Sequence, residues 1–136
     1  MNVFDYFFET TQNLDKDFVI GPKETISFKK LYEHSLRAAS YFKEKVGTDK
    51  NIVLIGQNSI FFITAYLGIL KSGNICVPIN FAIEQENLDF ILETTASSTV
   101  LLPNSLISKL YTKDSINLIN EAGLSDHAPV FVEFDL

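Results

Sequence analysis

The sequence contains a single cysteine, Cys76, among its 136 residues. One cysteine excludes an internal disulfide and is consistent with a reducing cytoplasm. Cys76 lies within the apolar run Ile75–Ile79. A cysteine in such a run is typical of a small buried hydrophobic residue, because a nucleophilic cysteine needs an electropositive and partly exposed setting.

Clustered positive charge is also absent. Eleven Lys and Arg residues against 17 Asp and Glu residues give a formal net charge of −6. Nucleic acids and anionic membranes attract clustered Lys and Arg, so this balance disfavours both as partners. The longest apolar stretch, Ile60–Leu70, is too short to span a bilayer, and the N-terminus carries acids where a signal peptide carries Lys or Arg. The sequence therefore predicts a soluble cytoplasmic protein.

Glycine patterns that bind phosphate are the third absence. Loops of this kind place small residues close together, so that backbone N–H groups can approach the charged oxygens. Neither G-x-G nor G-K-[ST] occurs in the sequence. The six glycines are far apart, at positions 21, 47, 56, 68, 73 and 123. We therefore expect this chain to hold no nucleotide phosphates by itself.

The stretch from Asn51 to Asn80 predicts one strand–helix–strand unit. Its first part, Ile52–Ile55, is an unbroken apolar run, which is typical of a parallel strand covered on both faces. Ser59 is placed to cap a largely apolar helix over Ile60–Leu70, and Gly73 can adopt the left-handed conformation that closes it. A second strand is predicted over Ile75–Ile79, which completes a βαβ unit.

The flanking segments predict further helices and strands. Before the unit, the spacing predicts an aromatic helix over Val3–Leu14, then a hairpin of Phe18–Ile20 with Thr25–Ser27, and a helix over Phe28–Lys45 capped by Ser27. The apolar stripe of that last helix comprises Phe28, Leu31, Tyr32, Leu36, Ala39 and Phe42. After the unit, we expect a helix from about Glu84 to Glu93, a third parallel strand at Thr99–Leu102, short helices or turns at Ser105–Tyr111 and Ser115–Glu121, and a last strand at Val130–Phe134. Strands alternating with helices predict a single α/β domain over residues 1–136, with a layered, mainly parallel sheet and flanking helices.

The segment Leu70–Asn80, LKSGNICVPIN, resembles the LKAGG-x-x-VP-hydrophobic-D/N segment of adenylate-forming enzymes. This superfamily includes acyl- and aryl-CoA synthetases, luciferases and the adenylation domains of peptide synthetases. The Asn58-Ser59 pair and the helix entry at Thr25–Lys45 match as well, and the resemblance extends over about Val3–Leu102. It implies that the chain is an incomplete part of the large N-terminal domain of such an enzyme. Asn80 favours the acyl-CoA synthetases, because peptide-synthetase adenylation domains more often carry Asp there.

The resemblance implies a function for the whole enzyme and a structural role for this chain. Members activate a carboxylate with ATP and magnesium to an acyl-adenylate, and many pass the acyl group to coenzyme A. Their phosphate loop, their nucleotide- and magnesium-contacting motifs and the Lys of their small C-terminal domain lie beyond Leu136. The resemblance thus implies no catalytic, cofactor-binding or metal-binding residue here, and an inactive chain when alone. Its partner would be the remainder of the enzyme, or a second copy through exposed apolar surface.

Two other features are candidates for chemistry. His34 lies beside the stripe of the Phe28–Lys45 helix and has no second His or Cys at metal-ligand spacing, so we expect a surface or half-buried structural residue. The run from Ser125 to Val130, SDHAPV, resembles the terminal S-D-H-x-P-V motif of endonuclease/exonuclease/phosphatase enzymes, in which the Asp orients a His. The alternative for this run is a turn in which Asp126 caps and Pro129 sets a strand entry.

Three hypotheses follow. The chain is the N-terminal part of an adenylate-forming ligase, a stand-alone module without catalysis that binds a partner, or a metal-dependent phosphodiesterase. We favour the first because its resemblance covers most of the chain, whereas the phosphodiesterase motif covers six residues.

Overall fold

The computed structural model describes residues 2–19, 25–120 and Leu124. In chain order the elements are α1 (Val3–Phe8), β1 (Asp17–Val19), β2 (Thr25–Ser27), α2 (Phe28–Lys45), β3 (Asn51–Gly56), α3 (Ile60–Lys71), β4 (Ile75–Asn80), α4 (Gln85–Thr94), β5 (Thr99–Leu102), a 3₁₀ turn (Asn104–Leu106) and β6 (Asn117–Asn120). The predicted βαβ unit is confirmed as β3, α3 and β4. The predicted helices α2 and α4 and the strand β5 are confirmed as well.

The main sheet of the described residues is wholly parallel, with strand order β4-β3-β5-β6. Strand β3 is central, and the chain moves from it to β4 on one side and then to β5 on the other. Because crossovers of one hand that run in opposite directions must use opposite faces, α3 and α4 lie on opposite faces of the sheet. The result is the layered α/β fold that the sequence predicts.

Side chains alternate between two cores along each strand. Ile52 and Leu54 of β3 point into a core formed with α1, α2 and α3. Val53 and Ile55 point into the other core, where they pack with Leu88 of α4 and its neighbours. All four of these β3 side chains are fully buried. The unbroken apolar run of β3 is thus explained by burial on both faces.

Serine side chains begin two of the helices, as the sequence predicts. The Ser27 hydroxyl accepts a hydrogen bond from the Lys30 N–H at 3.1 Å, and the Ser59 hydroxyl accepts one from the Phe62 N–H at 3.0 Å. Each bond satisfies a backbone donor that the first turn of a helix leaves without a partner. After α3, Gly73 has a φ of 82°, which is the left-handed conformation expected there.

The N-terminal helix is shorter than the spacing predicts. It ends at Phe8 rather than near Leu14, and it buries Phe4 and Phe8 while Val3 is exposed. The threonines that follow explain the early end. The Thr11 hydroxyl donates to the Phe7 carbonyl at 2.8 Å, and β-branched residues with competing hydroxyls favour turns over helix. The expected aromatic contact with the body is nevertheless present, since Phe8 packs against Tyr32 with ring centroids 5.0 Å apart.

The prediction of a helix or turn over Ser115–Glu121 is wrong at its centre. Asn117–Asn120 forms β6, which pairs in parallel with Thr99–Leu102. Two apolar residues between asparagines give no strand signal, because Asn is depleted in strands. The strand depends instead on tertiary pairing, in which the Asn117 N–H donates to the Ser98 carbonyl at 2.7 Å and Ile119 is buried. At Ser105–Tyr111 the 3₁₀ turn agrees with the predicted short helix or turn.

Two other predictions concern strands at the ends of the chain. The hairpin is confirmed as β1 paired antiparallel with β2, while its connecting residues 20–24 lie outside the described residues. The predicted last strand at Val130–Phe134 lies outside them as well. Among the described residues, no helix has the length and apolar character needed to cross a membrane.

Helices α2 and α3 pack closely at a pair of small residues. A Cβ atom added to Gly68 of α3 would lie 2.8 Å from the Ala38 Cβ and 3.3 Å from the Ala39 backbone nitrogen. Backbone atoms cannot move aside as a flexible side chain can, so this contact requires glycine. The two helices therefore approach each other at a distance that Gly68 sets.

We expect Gly68→Ala to destabilise the fold by about 1–3 kcal/mol through overpacking, even though alanine is the better helix former by about 1 kcal/mol. Urea unfolding of the purified chain measures the difference. The double variant Ala38→Gly/Gly68→Ala removes the clashing methyl group and should recover part of the loss. A Gly68→Ala protein at least as stable as the parent would contradict this account of the contact.

Candidate functional site

Open parallel sheets bind ligands beyond the carboxyl ends of their strands, where the strand order reverses. In this chain that place lies beside β3, because the connections from β3 and β4 run in opposite directions. The residues beyond these strand ends include Asn58 and Ser59 after β3, and Asn80 at the end of β4. All three belong to the segments that carry the resemblance. This edge is therefore the candidate site on which the predictions can be examined.

Two of the three polar side chains at this edge bond to nearby backbone. The Ser59 hydroxyl caps α3. The Asn80 carboxamide oxygen accepts a hydrogen bond from the Ala82 N–H at 2.7 Å, which closes the turn after β4. Both interactions define where an element begins or ends. Ser59 and Asn80 therefore have structural roles in the described part of the chain.

A cleft of about 460 Å³ opens between β4, α3 and β1. Aromatic and aliphatic side chains dominate its lining, including Phe18, Phe62, Ile63 and Tyr66. Asn58 and Ser59 lie at its polar end, and among the described residues no carboxylate, lysine, histidine or cysteine lines it. Such a cleft can accept an apolar or aromatic group, and Tyr66 is the one titratable side chain among the described residues that line it.

The Phe62 ring lies close to the backbone of Gly56 at the end of β3. A Cβ atom added to Gly56 would lie 3.1 Å from the Phe62 Cδ2 atom. Helix α3 thus begins directly over the last residue of the strand, with its aromatic ring against the backbone. Gly56 occupies the last position of β3.

The rest of the resembling segment forms a polar clamp at the opposite, amino end of the sheet. Asn74 is buried, and its carboxamide oxygen accepts a hydrogen bond from the Lys50 N–H at 2.9 Å. Its amide nitrogen donates to the Gly47 carbonyl at 2.9 Å and to the Ser72 hydroxyl at 2.8 Å. One side chain therefore joins the loop before β3 to the loop before β4. This role of Asn74 was not predicted from the sequence, although a polar residue next to a helix-ending glycine was the available signal.

Cys76 is half-buried, whereas the sequence predicts a small buried hydrophobic residue. It lies on β4 opposite Ile52 and contacts the core on the α3 side. Burial raises the pKa of the Cys76 thiol from 9.0 to about 12, because the charged thiolate loses solvation. The side chain is thus a neutral thiol at physiological pH, and it contributes packing rather than nucleophilic chemistry.

His34 is more deeply buried than predicted. The sequence analysis places it at the surface or half buried, whereas its exposed fraction is 2%. It lies on the face of α2 that meets the core, next to the buried residues Leu31, Ser35 and Ala38. The predicted stripe thus misses the residues His34, Ser35 and Ala38, because polar and small side chains carry little hydrophobic signal. Leu31, Ala39 and Phe42 of that stripe are buried, and Phe28, Tyr32 and Leu36 are half buried.

Metal and nucleotide sites have little support among the described residues. Within residues 2–19 and 25–120, no three His, Cys, Asp or Glu side chains come together as a metal site would require. The predictions that this chain contributes no catalytic, cofactor-binding or metal-binding residue remain predictions. The SDHAPV run at Ser125–Val130 lies outside the described residues, so its geometry cannot be compared with a phosphodiesterase site.

With this geometry established, comparison with known proteins gives a consistent result. The model of the family described as AMP-binding enzyme matches residues 7–132. Surfactin synthase subunit 1 of Bacillus subtilis (strain 168) is 31% identical over 120 residues, which cover 87% of this chain and 3% of the synthase. The D-alanine--D-alanyl carrier protein ligase of Listeria welshimeri is 30% identical over 91 residues, which cover 65% of this chain and 18% of the ligase.

Solved structures agree with the fold. The N-terminal subdomain of Klebsiella oxytoca NpsA superposes with a TM-score of 0.79 at 18% sequence identity, over 93% of this chain and 33% of that chain. At this level of identity the likeness shows the fold alone. The chain therefore spans only a small part of the synthase and of the ligase, and about a third of the solved subdomain.

The clamp predicts that Asn74→Ala destabilises the chain by about 2–3 kcal/mol, since three hydrogen bonds of a buried residue are lost and their partners stay buried. Asn87→Ala is the matched control, because Asn87 is an exposed residue of α4, and we expect a change within about 0.5 kcal/mol there. Urea unfolding compares the two variants. Similar small effects at both positions would contradict the clamp.

The raised pKa predicts slow and strongly pH-dependent modification of Cys76. We expect an aromatic disulfide reagent to react with the native chain at pH 8 at least about tenfold more slowly than with the urea-unfolded chain, because the smaller thiolate fraction outweighs its higher nucleophilicity. The native rate should still rise steeply between about pH 8 and 10, whereas the unfolded rate should level off above the ordinary thiol pKa. A native rate that levels off near pH 9 would contradict the burial effect.

Proposed function

Because the chain belongs to the AMP-binding enzyme family, we propose that it forms the first part of an adenylation domain that activates an amino acid or a related carboxylic acid for a carrier-protein thiol. The observation that carries this proposal is the family match over residues 7–132, together with the kind of relatives found. One relative is named for D-alanine and its carrier protein, and another is a surfactin synthase.

The carrier protein replaces coenzyme A as the favoured acceptor. The acyl-CoA synthetase expectation depends on Asn80, but the Asn80 side chain contributes only an oxygen that accepts the Ala82 N–H. An Asp carboxylate can accept the same hydrogen bond, and both residues favour this type of turn. Asn80 therefore does not discriminate between the two classes of acceptor. Transfer to coenzyme A remains the second candidate.

The described residues do not fit a nucleoside triphosphate. The cleft beside α3 is lined mostly by apolar side chains, and the Ser59 and Asn80 oxygens are engaged by local backbone N–H groups. A triphosphate requires cationic side chains, and none of the described residues that line this cleft is cationic. We propose that ATP and magnesium are bound by parts of the enzyme outside this chain, and that this chain supports them as scaffold.

The experiment begins with the coding sequence after codon 136. If the reading frame continues, we expect the longer product to catalyse exchange between pyrophosphate and ATP that depends on one amino or aryl acid, while the 136-residue chain alone catalyses none. Loading of an acyl group onto a carrier protein, compared with thioester formation on coenzyme A, then distinguishes the two acceptors. Reactions without the acid serve as the control.

Other results would favour other functions. Exchange supported by fatty acids, with thioester formed on coenzyme A, would favour the acyl-CoA synthetase. Concentration-dependent oligomers without any response to ATP would favour the stand-alone module. Magnesium-dependent cleavage of a phosphodiester would favour the phosphodiesterase. Absence of exchange with every acid tested would overturn the proposed activity.

A further inference from the structure

The outer strand β4 and helix α4 form a second apolar surface, on the face of the sheet away from α3. A shallow cleft of about 520 Å³, here called the α4 groove, is lined by Pro78, Ile79, Ile83, Asn87, Phe90 and Ile91. The Phe90 side chain is 67% exposed, although a phenylalanine is among the residues most often buried. Exposed aromatic residues beside a groove are typical of a surface that another protein segment covers.

The backbone of β4 is unsuited to the addition of another strand. The Ile75 N–H donates to the Lys50 carbonyl at 2.8 Å, so the polar backbone groups of Ile75, Val77 and Ile79 face β3. Those of Cys76, Pro78 and Asn80 then face the other edge, which pairs with no strand among the described residues, because consecutive residues of a strand alternate. Pro78 has no N–H, which interrupts the row of donors at its centre. The groove is therefore a surface for side-chain packing.

The charge around the α4 groove indicates which kind of segment fits. Residues 75–94 contain Glu84, Glu86, Asp89 and Glu93 and no Lys or Arg. Glu86 and Glu93 lie one turn before and one turn after Phe90 on the helix. A second copy that docked through the same groove would place these acidic rims against each other, which is repulsive. A segment with Lys or Arg at its rim would complement them.

The source of such a segment follows from length. The match to the NpsA N-terminal subdomain covers 93% of this chain but only 33% of that subdomain. About two thirds of a domain of this kind thus remains to pack against the chain. We propose that the α4 groove is the docking surface for a later segment of the same ligase domain, an apolar helix or loop with a basic rim. This proposal depends on the proposed function, because it takes the remainder of the domain as the occupant.

A tryptophan at position 90 reports on the groove, since the chain has no tryptophan of its own. In the 136-residue Phe90→Trp chain we expect emission typical of water exposure at every protein concentration. In the longer product, we expect the emission that Phe90→Trp adds to that of the unsubstituted protein to be quenched by acrylamide at least about threefold more weakly, because a packed interface excludes the quencher. Acrylamide is neutral, so changes of protein charge do not affect its access.

Charge reversal tests the basic rim. In the longer Phe90→Trp protein, Glu86→Lys with Glu93→Lys should restore quenching at position 90. The matched control is Glu33→Lys with Glu44→Lys, which changes net charge equally but lies on α2, on the opposite face of the sheet. This control should leave quenching unchanged. Equal effects of the two charge-reversed pairs on quenching would overturn the proposed basic rim of the segment.

The remaining outcomes also decide the proposal. It is overturned by equal quenching of the short and long proteins, by a blue shift of the short chain that grows with its concentration, or by a stop codon directly after Leu136. Pyrophosphate exchange measured on the same longer protein separates this inference from the proposed function. Exchange with an exposed tryptophan retains the function and rejects the groove, whereas a shielded tryptophan without exchange retains the groove and rejects the function.

Discussion

Burial of β3 on both faces is the constraint on which the rest of this structure depends. A strand covered on both sides needs one helical layer on each side and a neighbouring strand at each edge. The crossover through α3 supplies one layer, and the crossover through α4 supplies the other. Opposite crossover directions follow, so the strand order reverses beside β3. The layered architecture is therefore a consequence of four consecutive apolar residues, Ile52–Ile55.

The two ends of this sheet differ in kind. At the amino end, Asn74 and Ser72 join the loops before β3 and β4 through buried hydrogen bonds. At the carboxyl end, Ser59 and Asn80 bond only to their own turns, and open clefts adjoin both faces of β4. The amino end is thus fixed by side-chain contacts within the chain, while the surfaces near the carboxyl end can receive further protein. Pro78 lines both clefts. The strand edge between them therefore has a gap in its row of backbone N–H donors.

The sequence predicted the parts of the fold that local patterns determine. The βαβ unit, the serine caps and the strand at Thr99–Leu102 each have a short apolar run, a helical spacing or a recognisable helix end. The burial of His34 and the strand at Asn117–Asn120 were not predicted, since each depends on tertiary contacts. The early end of α1 was not predicted because helical spacing does not register the Thr11 hydroxyl that bonds to the Phe7 carbonyl. The candidate site was even harder to predict from the sequence. The Asn74 clamp joins Asn74 to Lys50 and Gly47, which lie 24 and 27 residues earlier in the chain. The α4 groove lies at an edge of the sheet, and only the order of the strands defines that edge.

The same distinction between local and tertiary features explains why the residues of this chain indicate its family and do not indicate a substrate. The residues that carry the resemblance, from Leu70 to Asn80, form a helix end, a buried clamp, an edge strand and the start of a turn. In the described residues these are structural roles. A side chain that serves the fold in this way does not report the substrate. Asn80 illustrates the point, since its oxygen closes a turn that Asp could close as well. We propose that the acid and the thiol are selected by contacts outside the scaffold that this chain forms.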